Sequence, residues 1–359
     1  ACNQCRYCKD MINRIITILA FLAPALCTSA QIGGKDAYEF LALPGSARIT
    51  ALGGTLPSVM DEDITLALGN PASLNEKMHN RLSFSHNFHF ADIQNGYVAF
   101  GRRLSGSGIN IHGGVQYISY GDFILADELG NQNGNFSARE TAFVLGASKK
   151  VAERISAGIN VKGVFSSLES YSSAGIVFDA GINYFKDSSD FILSLCIKNA
   201  GAEITTYNGT RFGTPLDVQV GISKKLKYLP LRISVTGHQL HRLNARYDDP
   251  NKQQQTDIFG EEVKTSRFSQ SVDNIFRHMI FSGEFMLGKN QNLRLRASYN
   301  HLRRKELSLT TFRSMAGFGL GFGIKVNAFK LDYGIGYHHI AGATNHISIS
   351  TDLGKFVRI

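Results

Sequence analysis

From about residue 80 onward, apolar and polar residues alternate one for one, the period of a β-strand with two unlike faces. In 291–302, Leu293, Leu295, Ala297 and Tyr299 share one face and Arg294, Arg296, Ser298 and Asn300 the other. In 329–338, Phe329, Leu331, Tyr333, Ile335 and Tyr337 oppose Lys330, Asp332, Gly334, Gly336 and His338. In 315–327, Phe318, Leu320, Phe322, Ile324 and Val326 oppose Gly317, Gly319, Gly321, Gly323 and Lys325. A helix would not sort these residues by polarity. The pattern predicts fourteen strands, near 80–90, 94–104, 108–120, 139–151, 154–166, 175–186, 190–200, 215–226, 230–240, 277–288, 291–302, 315–327, 329–340 and 344–353. Most reach the ~9–11 residues that cross a bilayer at a tilt.

The connections sort by length. One set (105–107, 152–153, 187–189, 227–229, 289–290 and 328) has no member longer than three residues. The other (91–93, 121–138, 167–174, 201–214, 241–276, 303–314 and 341–343) holds every long one. Short periplasmic turns and long external loops are the habit of bacterial membrane barrels, and an even strand count returns both ends to the periplasm. The expected fold is therefore all-β: a 14-stranded antiparallel transmembrane β-barrel over residues 80–359, integral to the cell outer membrane. A soluble β-sandwich is the competing reading of alternation alone.

Composition changes the picture little. Hydrophobic residues make up 43% of the 359, and no window after residue 30 holds the ~18 uncharged apolar residues of a membrane helix. A barrel escapes that test because its two faces cancel in the average. With no Trp, Tyr97, Tyr117, Tyr120, Tyr184, Tyr207 and Tyr337 are the candidates for an interfacial girdle.

The N-terminus reads as an export signal: Met11, the basic Arg14, an apolar core from Ile15 to Leu26, and the small residues Thr28-Ser29-Ala30. The mature chain is expected to begin near Gln31, with 1–30 as upstream residues and signal peptide. Cys27 leaves a lipoprotein alternative open, although Leu26 is a poor residue before a lipidated cysteine. Cys2, Cys5 and Cys8 have cluster-ligand spacing but precede Met11, so upstream sequence is the simpler reading. Without 1–30 only Cys196 remains, which excludes an intrachain disulfide. The whole chain carries a net charge of +9, two of which belong to residues 1–30. Export argues against a nucleic-acid partner and leaves an anionic membrane surface or an acidic partner.

Candidate chemistry is thin. His86 and His89 fall on opposite strand faces, as do His338 and His339, with no matching metal-ligand spacing around them. His238 and His241 straddle a strand end, where a role at the loop mouth competes with none. No G-x-S-x-G elbow exists, and the alternating glycines 317–323 lack a following helix for phosphate binding. Glycine on an inner face, leaving room for another segment, explains them better. No enzyme activity, cofactor or metal is expected. Lys162, Lys198, Arg294, Arg296, Asp179, Glu284 and Asp332 sit on polar faces and are candidates to clamp an inner segment through Asp61 and Asp63.

Residues 31–79 do not alternate. They carry Ser46-Ala47-Arg48, a glycine turn at Gly53-Gly54, the acidic Asp61-Glu62-Asp63, and Asn70-Pro71-Ala72. One short helix is predicted at about 62–68, opened by the acidic triplet and closed by Pro71. The pattern SAR-x₂-ALGG, then D-x-D and NPA-x-L, resembles the N-terminal region of FadL-like outer-membrane proteins. That resemblance implies a fourteen-strand barrel with 31–79 as a luminal plug.

Further segments resemble the PorQ family of the Bacteroidetes type IX secretion system: Tyr38-Glu39-Phe40-Leu41, Phe90-Ala91-Asp92-Ile93, 116–123 and 221–226. This resemblance covers essentially the whole mature chain. It implies a non-enzymatic part in a cell-surface attachment complex with a PorZ-like surface protein, a sortase-like protease and a PorV-like barrel. Secreted cargo would be processed there and joined to lipopolysaccharide. The polar connection 241–276, with Asp248, Asp249, Gln253, Gln254 and Gln255, is then the expected docking loop, with a disordered loop as the alternative. The broader FadL-like resemblance implies instead a transporter of hydrophobic small molecules.

Overall fold

The computed structural model describes residues 36–127, 129, 131–186, 190–245, 267–288, 290–307, 315–339 and 342–356. The expected signal segment 1–30 and Asp248, Asp249, Gln253, Gln254 and Gln255 lie outside the described residues.

Fourteen strands close into one antiparallel barrel. They are β1 (Arg81–Phe88), β2 (Gln94–Arg103), β3 (Ile109–Ala126), β4 (Gln132–Ala152), β5 (Ile155–Leu168), β6 (Tyr171–Lys186) and β7 (Phe191–Thr205). Then come β8 (Asp217–Lys225), β9 (Leu231–Gly237), β10 (Met279–Leu287), β11 (Leu293–Asn300), β12 (Phe318–Val326), β13 (Phe329–His339) and β14 (Gly342–Asp352). Each strand pairs with its sequence neighbours, and β1 closes the ring on β14 from Arg81↔Asp352 to Phe88↔Asn345. Closure removes both sheet edges, so no strand in the ring has an unpaired side.

The faces are inverted relative to a water-soluble protein. On β5, Ile159 is 59% exposed and Val161 37%, whereas Asn160 and Lys162 are fully buried. On β11, Leu293 and Leu295 point out and Arg294, Arg296, Ser298 and Asn300 point in, as the alternation predicts. In water such an apolar outer belt would be unfavourable by about 25 cal/mol per Å². Against hydrocarbon it is the required surface, and the backbone groups pair from strand to strand around the ring, interrupted only by local register shifts such as that between Ser119 and Asp122.

At one end the connections are short, from two residues (153–154, 327–328) to five (104–108, 226–230, 288–292). They are slightly longer than expected, because several turn through left-handed residues such as Gly106, Gly108 and Gln291. By loop length this is the periplasmic end. The opposite end carries the long connections 206–216, 238–278 and 301–317, but two expected loops shrink. β3 and β4 continue through 121–138 to leave only 127–131, and β5 and β6 continue to leave 169–170. These extensions keep the backbone ladder past the point where lipid imposes alternation. The strands β3 to β7 thus run 14 to 21 residues and β8 to β11 only 7 to 9, so the external rim is high on one side.

The tyrosine girdle is only partly as expected. Tyr184 is exposed on the outer face and Tyr117 faces out, donating to or accepting from His86 at 2.8 Å. Tyr97 is instead buried inside among the residues of the N-terminal segment, and Tyr120 donates inward to Glu140 at 2.6 Å. A polar-tipped aromatic serves equally well as filling for a packed lumen.

Candidate functional site: the filled lumen

Residues 36–80 pack against the inner face of the ring. The segment contains helix α1 (Ala47–Ala51), helix α2 (Leu66–Gly69) and three 3-10 turns, Glu39–Ala42, Pro71–Ser73 and Glu76–Met78. The sequence placed one helix at 62–68. The second half of that prediction is α2, but Pro71 opens the next turn after an Asn70 cap. α1 was missed, because five residues carry no helical period and its Ser46 cap is a single hydroxyl accepting from the Ile49 amide at 3.5 Å.

What holds α1 is the wall. The Ala47 amide donates to Ser348 Oγ at 2.8 Å, Thr50 Oγ1 meets His346 Nδ1 at 2.8 Å, and Ser298 donates to the Ala51 carbonyl at 2.9 Å. The inward glycines of β12 and β13 make this approach possible. A Cβ on Gly319 would stand 2.9 Å from the Thr50 oxygen, and one on Gly321 2.5 Å from the Ala51 Cβ. A Cβ on Gly334 would collide with the Ala47 carbonyl. Gly323 does a different job, leaving space for the Arg296 and Asp332 side chains.

Arg48, on α1, is the centre of a buried ion network. Its guanidinium meets Asp61 at 2.7 Å, Asp63 at 3.1 Å and Glu284 of β10 at 2.7 Å, with no exposure of its side chain. Arg232 bridges Asp61 (3.3 Å) and Glu284 (2.9 Å). Arg296 holds Glu284 (2.9 Å) and Asp332 (2.7 Å), and Lys330 joins Asp332 (3.0 Å) to Asp63 (3.6 Å). Glu62, which the sequence did not single out as a site residue, is held by Lys325 at 2.6 Å and Arg81 at 3.0 Å. Burial alone would raise the Asp61 carboxyl, but Arg48, Arg232 and Arg294 overcome it and hold it well below the usual carboxylate range.

The expected clamp, barrel arginines on Asp61 and Asp63, is corrected in its details. Arg294 reaches Asp61 and Glu62 only at 4.0 and 3.7 Å. Arg296 acts on Glu284 and Asp332 rather than on the segment, so the strongest cross-link is the segment's own Arg48. Lys162 and Asp179 pair with each other at 2.8 Å on β5 and β6, apart from this network.

The other motif residues dock elsewhere. Gly53 and Gly54 both have φ near +97°, and the Gly53 carbonyl accepts from Arg303 at 3.2 Å. Asn70 donates to the Pro57 carbonyl and to Asn183 Oδ1, each at 2.8 Å. Pro71 and Ala72 press on Gly158, where a Cβ would lie 2.5 Å from the Pro71 backbone, and Ser156 donates to the Ala72 carbonyl at 2.8 Å. His86 and His89 face opposite ways, His89 meeting Asn95 at 2.6 Å. Among the described residues no group of three or more metal-ligating side chains converges.

Toward the external end the lumen turns apolar. Tyr38, Phe40 and Leu41 of the segment pack on the inward Ile118, Ala142, Val164 and Val177 of β3 to β6. The Phe40 carbonyl accepts from Gln116 at 3.0 Å and Tyr38 Oη meets Ser173 at 2.5 Å.

A closed ring, apolar outside and filled inside by its own N-terminal residues, has the architecture of an outer-membrane β-barrel. A mutant of TodX, a monoaromatic hydrocarbon channel, is similar in structure at a TM-score of 0.52 and 13% identity, over 87% of this chain and 98% of that one. The toluene transporter TodX of Pseudomonas putida aligns over 86% and 96% (TM-score 0.48, 12% identity). A FadL homologue of Pseudomonas aeruginosa aligns over 89% and 100% (TM-score 0.49, 8% identity). At such identities the likeness is one of fold alone, and the fold here is a closed antiparallel barrel of fourteen strands. No family model and no curated protein matches the chain.

Proposed function

We propose that the protein is an outer-membrane channel for hydrophobic small molecules, with residues 36–79 as a displaceable plug. One observation carries this reading: an apolar patch lies inside the lumen, where a water-filled barrel would be polar, and Tyr38, Phe40 and Leu41 occupy it. These side chains stand where an apolar ligand would. The fold shared with a monoaromatic hydrocarbon channel supports the same reading. Because the chain has no Trp, Phe40→Trp places a single reporter in the patch. Toluene added to the folded protein should shift its emission to the red by displacing it toward water. Unchanged emission up to toluene saturation would count against the channel.

A second reading follows from the external loops. Helix α3 (Arg267–Arg277), in the connection between β9 and β10, exposes Phe268 (80%) and Ile275 (60%) at the mouth. Such a surface suits the attachment-complex role that the PorQ resemblance implies, with a PorZ-like surface protein seated on the barrel beside a sortase-like protease and a PorV-like barrel. Deleting 248–262 should then release the surface protein from a membrane pull-down while the barrel stays folded. Affinity purification separates the two readings: a stoichiometric surface protein favours the anchor, a co-purified apolar molecule the channel.

A further inference from the structure

The periplasmic mouth, on the other side of the plug from the apolar patch, has a chemistry of its own. Below Met60 and Leu74 the ring encloses a half-open cavity of about 540 Å³, with Phe185 and Ile192 on its wall. Among the described residues, seven cationic side chains line it, including Lys77, Lys150, Lys186 and Lys225, with the carboxylates Glu76 and Asp190. Arg103 is held by Glu76, and Arg232 by Asp61 and Glu284. Lys150 lies 5.3 Å over the Phe185 ring, tying the basic rim to the apolar wall. At the same end Lys224 of β8 and Lys227 of the turn after it are also exposed, while Arg154 shares its turn with the equally exposed Glu153.

We propose that this mouth is a docking site for an acidic, partly apolar segment of a periplasmic protein, its carboxylates on the lysine rim and its apolar side chains against Met60, Leu74, Phe185 and Ile192. Charge complementarity selects the sign of the partner. Its size follows from how the cations are arranged. A small ligand's pocket fixes a few polar groups around a mostly enclosed body. Here Lys149, Lys150, Lys186 and Lys225 stand at the periplasmic ends of three different strands, β4, β6 and β8, with Lys77 on the plug between them, so a chain carrying several carboxylates can meet more of them than one small anion can. They face the mouth and the periplasm. This inference does not depend on what, if anything, passes the plug.

The test uses the full barrel in nanodiscs of zwitterionic phosphatidylcholine and a short fluorescein-labelled peptide of alternating glutamate and leucine, read by anisotropy. The peptide should bind, and its affinity should fall with salt. Lys150→Glu with Lys225→Glu should weaken binding by about tenfold or more. The neutral pair Lys150→Gln and Lys225→Gln, gentler on folding, should weaken it less, and Ile192→Asn should weaken it without changing the salt dependence. Reversing Arg139 and Arg211, at the external end, should leave it unchanged. Heat-dependent gel mobility checks that each variant is folded. Equal binding by the double reversal, or equally tight binding of an all-glutamate peptide, would overturn the proposal. So would full competition by benzoate, which would make the cavity a small-molecule site.

Discussion

Arg48 and Glu284 form a two-pronged contact across 236 positions of sequence, Nε to Oε1 at 3.1 Å and Nη2 to Oε2 at 2.7 Å. Both side chains are shut away from water. Glu284 also holds Arg232 and Arg296, so neutralising it leaves three guanidinium groups short of one carboxylate, where breaking even a single buried pair costs about 3–5 kcal/mol. Glu284→Gln is therefore expected to loosen the plug, seen as higher single-channel conductance and faster proteolysis within 36–79, while the ring still resists heat in gel assays. A Glu284→Gln barrel with wild-type conductance would show that the contact holds nothing in place.

Arg294 and Arg296 are neighbours on one face but should not behave alike. Arg296 is enclosed between Glu284 and Asp332, whereas Arg294 meets its carboxylates at 3.7 and 4.0 Å. Arg296→Glu places a third carboxylate beside two others and should raise conductance far more than Arg294→Glu. Equal effects would mean that overall lumen charge, rather than contact, fixes the plug.

Gly334→Ala and Gly321→Ala test the close approach of α1. Each new methyl meets the helix directly, and overpacking of this kind costs about 1–3 kcal/mol. Phe40→Trp emission and proteolysis within 36–79 should both report a displaced segment. Gly163→Ala, whose Cβ would touch only Phe165 at 4.0 Å, is the control and should change nothing.

Acid should release the plug. In the docked state Asp61 and Asp63 are pushed up by burial but pulled below their ordinary range by their cations, Asp61 the further. The released segment would bind protons more readily than the docked one. Docking is thus at full strength above the ordinary carboxylate range, near pH 4, and fades as pH falls through the depressed values. Conductance should stay flat from neutral pH down to about 5 and rise only in stronger acid. A rise between pH 5 and 7 would point to a histidine contact such as Thr50–His346 instead.

The ring was legible because lipid forces a choice at every second residue: Leu295 out, Arg296 in, Leu320 out, Gly321 in. Where lipid ends, so does the signal. The outer halves of β3 and β4 pair through Asp122↔Ser137 and Phe123↔Phe136 after a shift in register, and the sequence there looks like loop. The inner segment was legible as a motif but not as a mechanism. The alternating glycines announced that something must lie against β12 and β13. Nothing local says that Ala47–Ala51 is helical or that Arg48 finds Glu284, since both follow from contacts made only once the ring has closed.

The uneven height of the strands gives the barrel a slanted collar. β3 to β7 run 14 to 21 residues against 7 to 9 for β8 to β11, and each residue adds roughly 3.3 Å along the tilted strand. The tall hairpins β3–β4 and β5–β6 thus form a backboard on one side of the external opening, against which anything arriving there would come to rest.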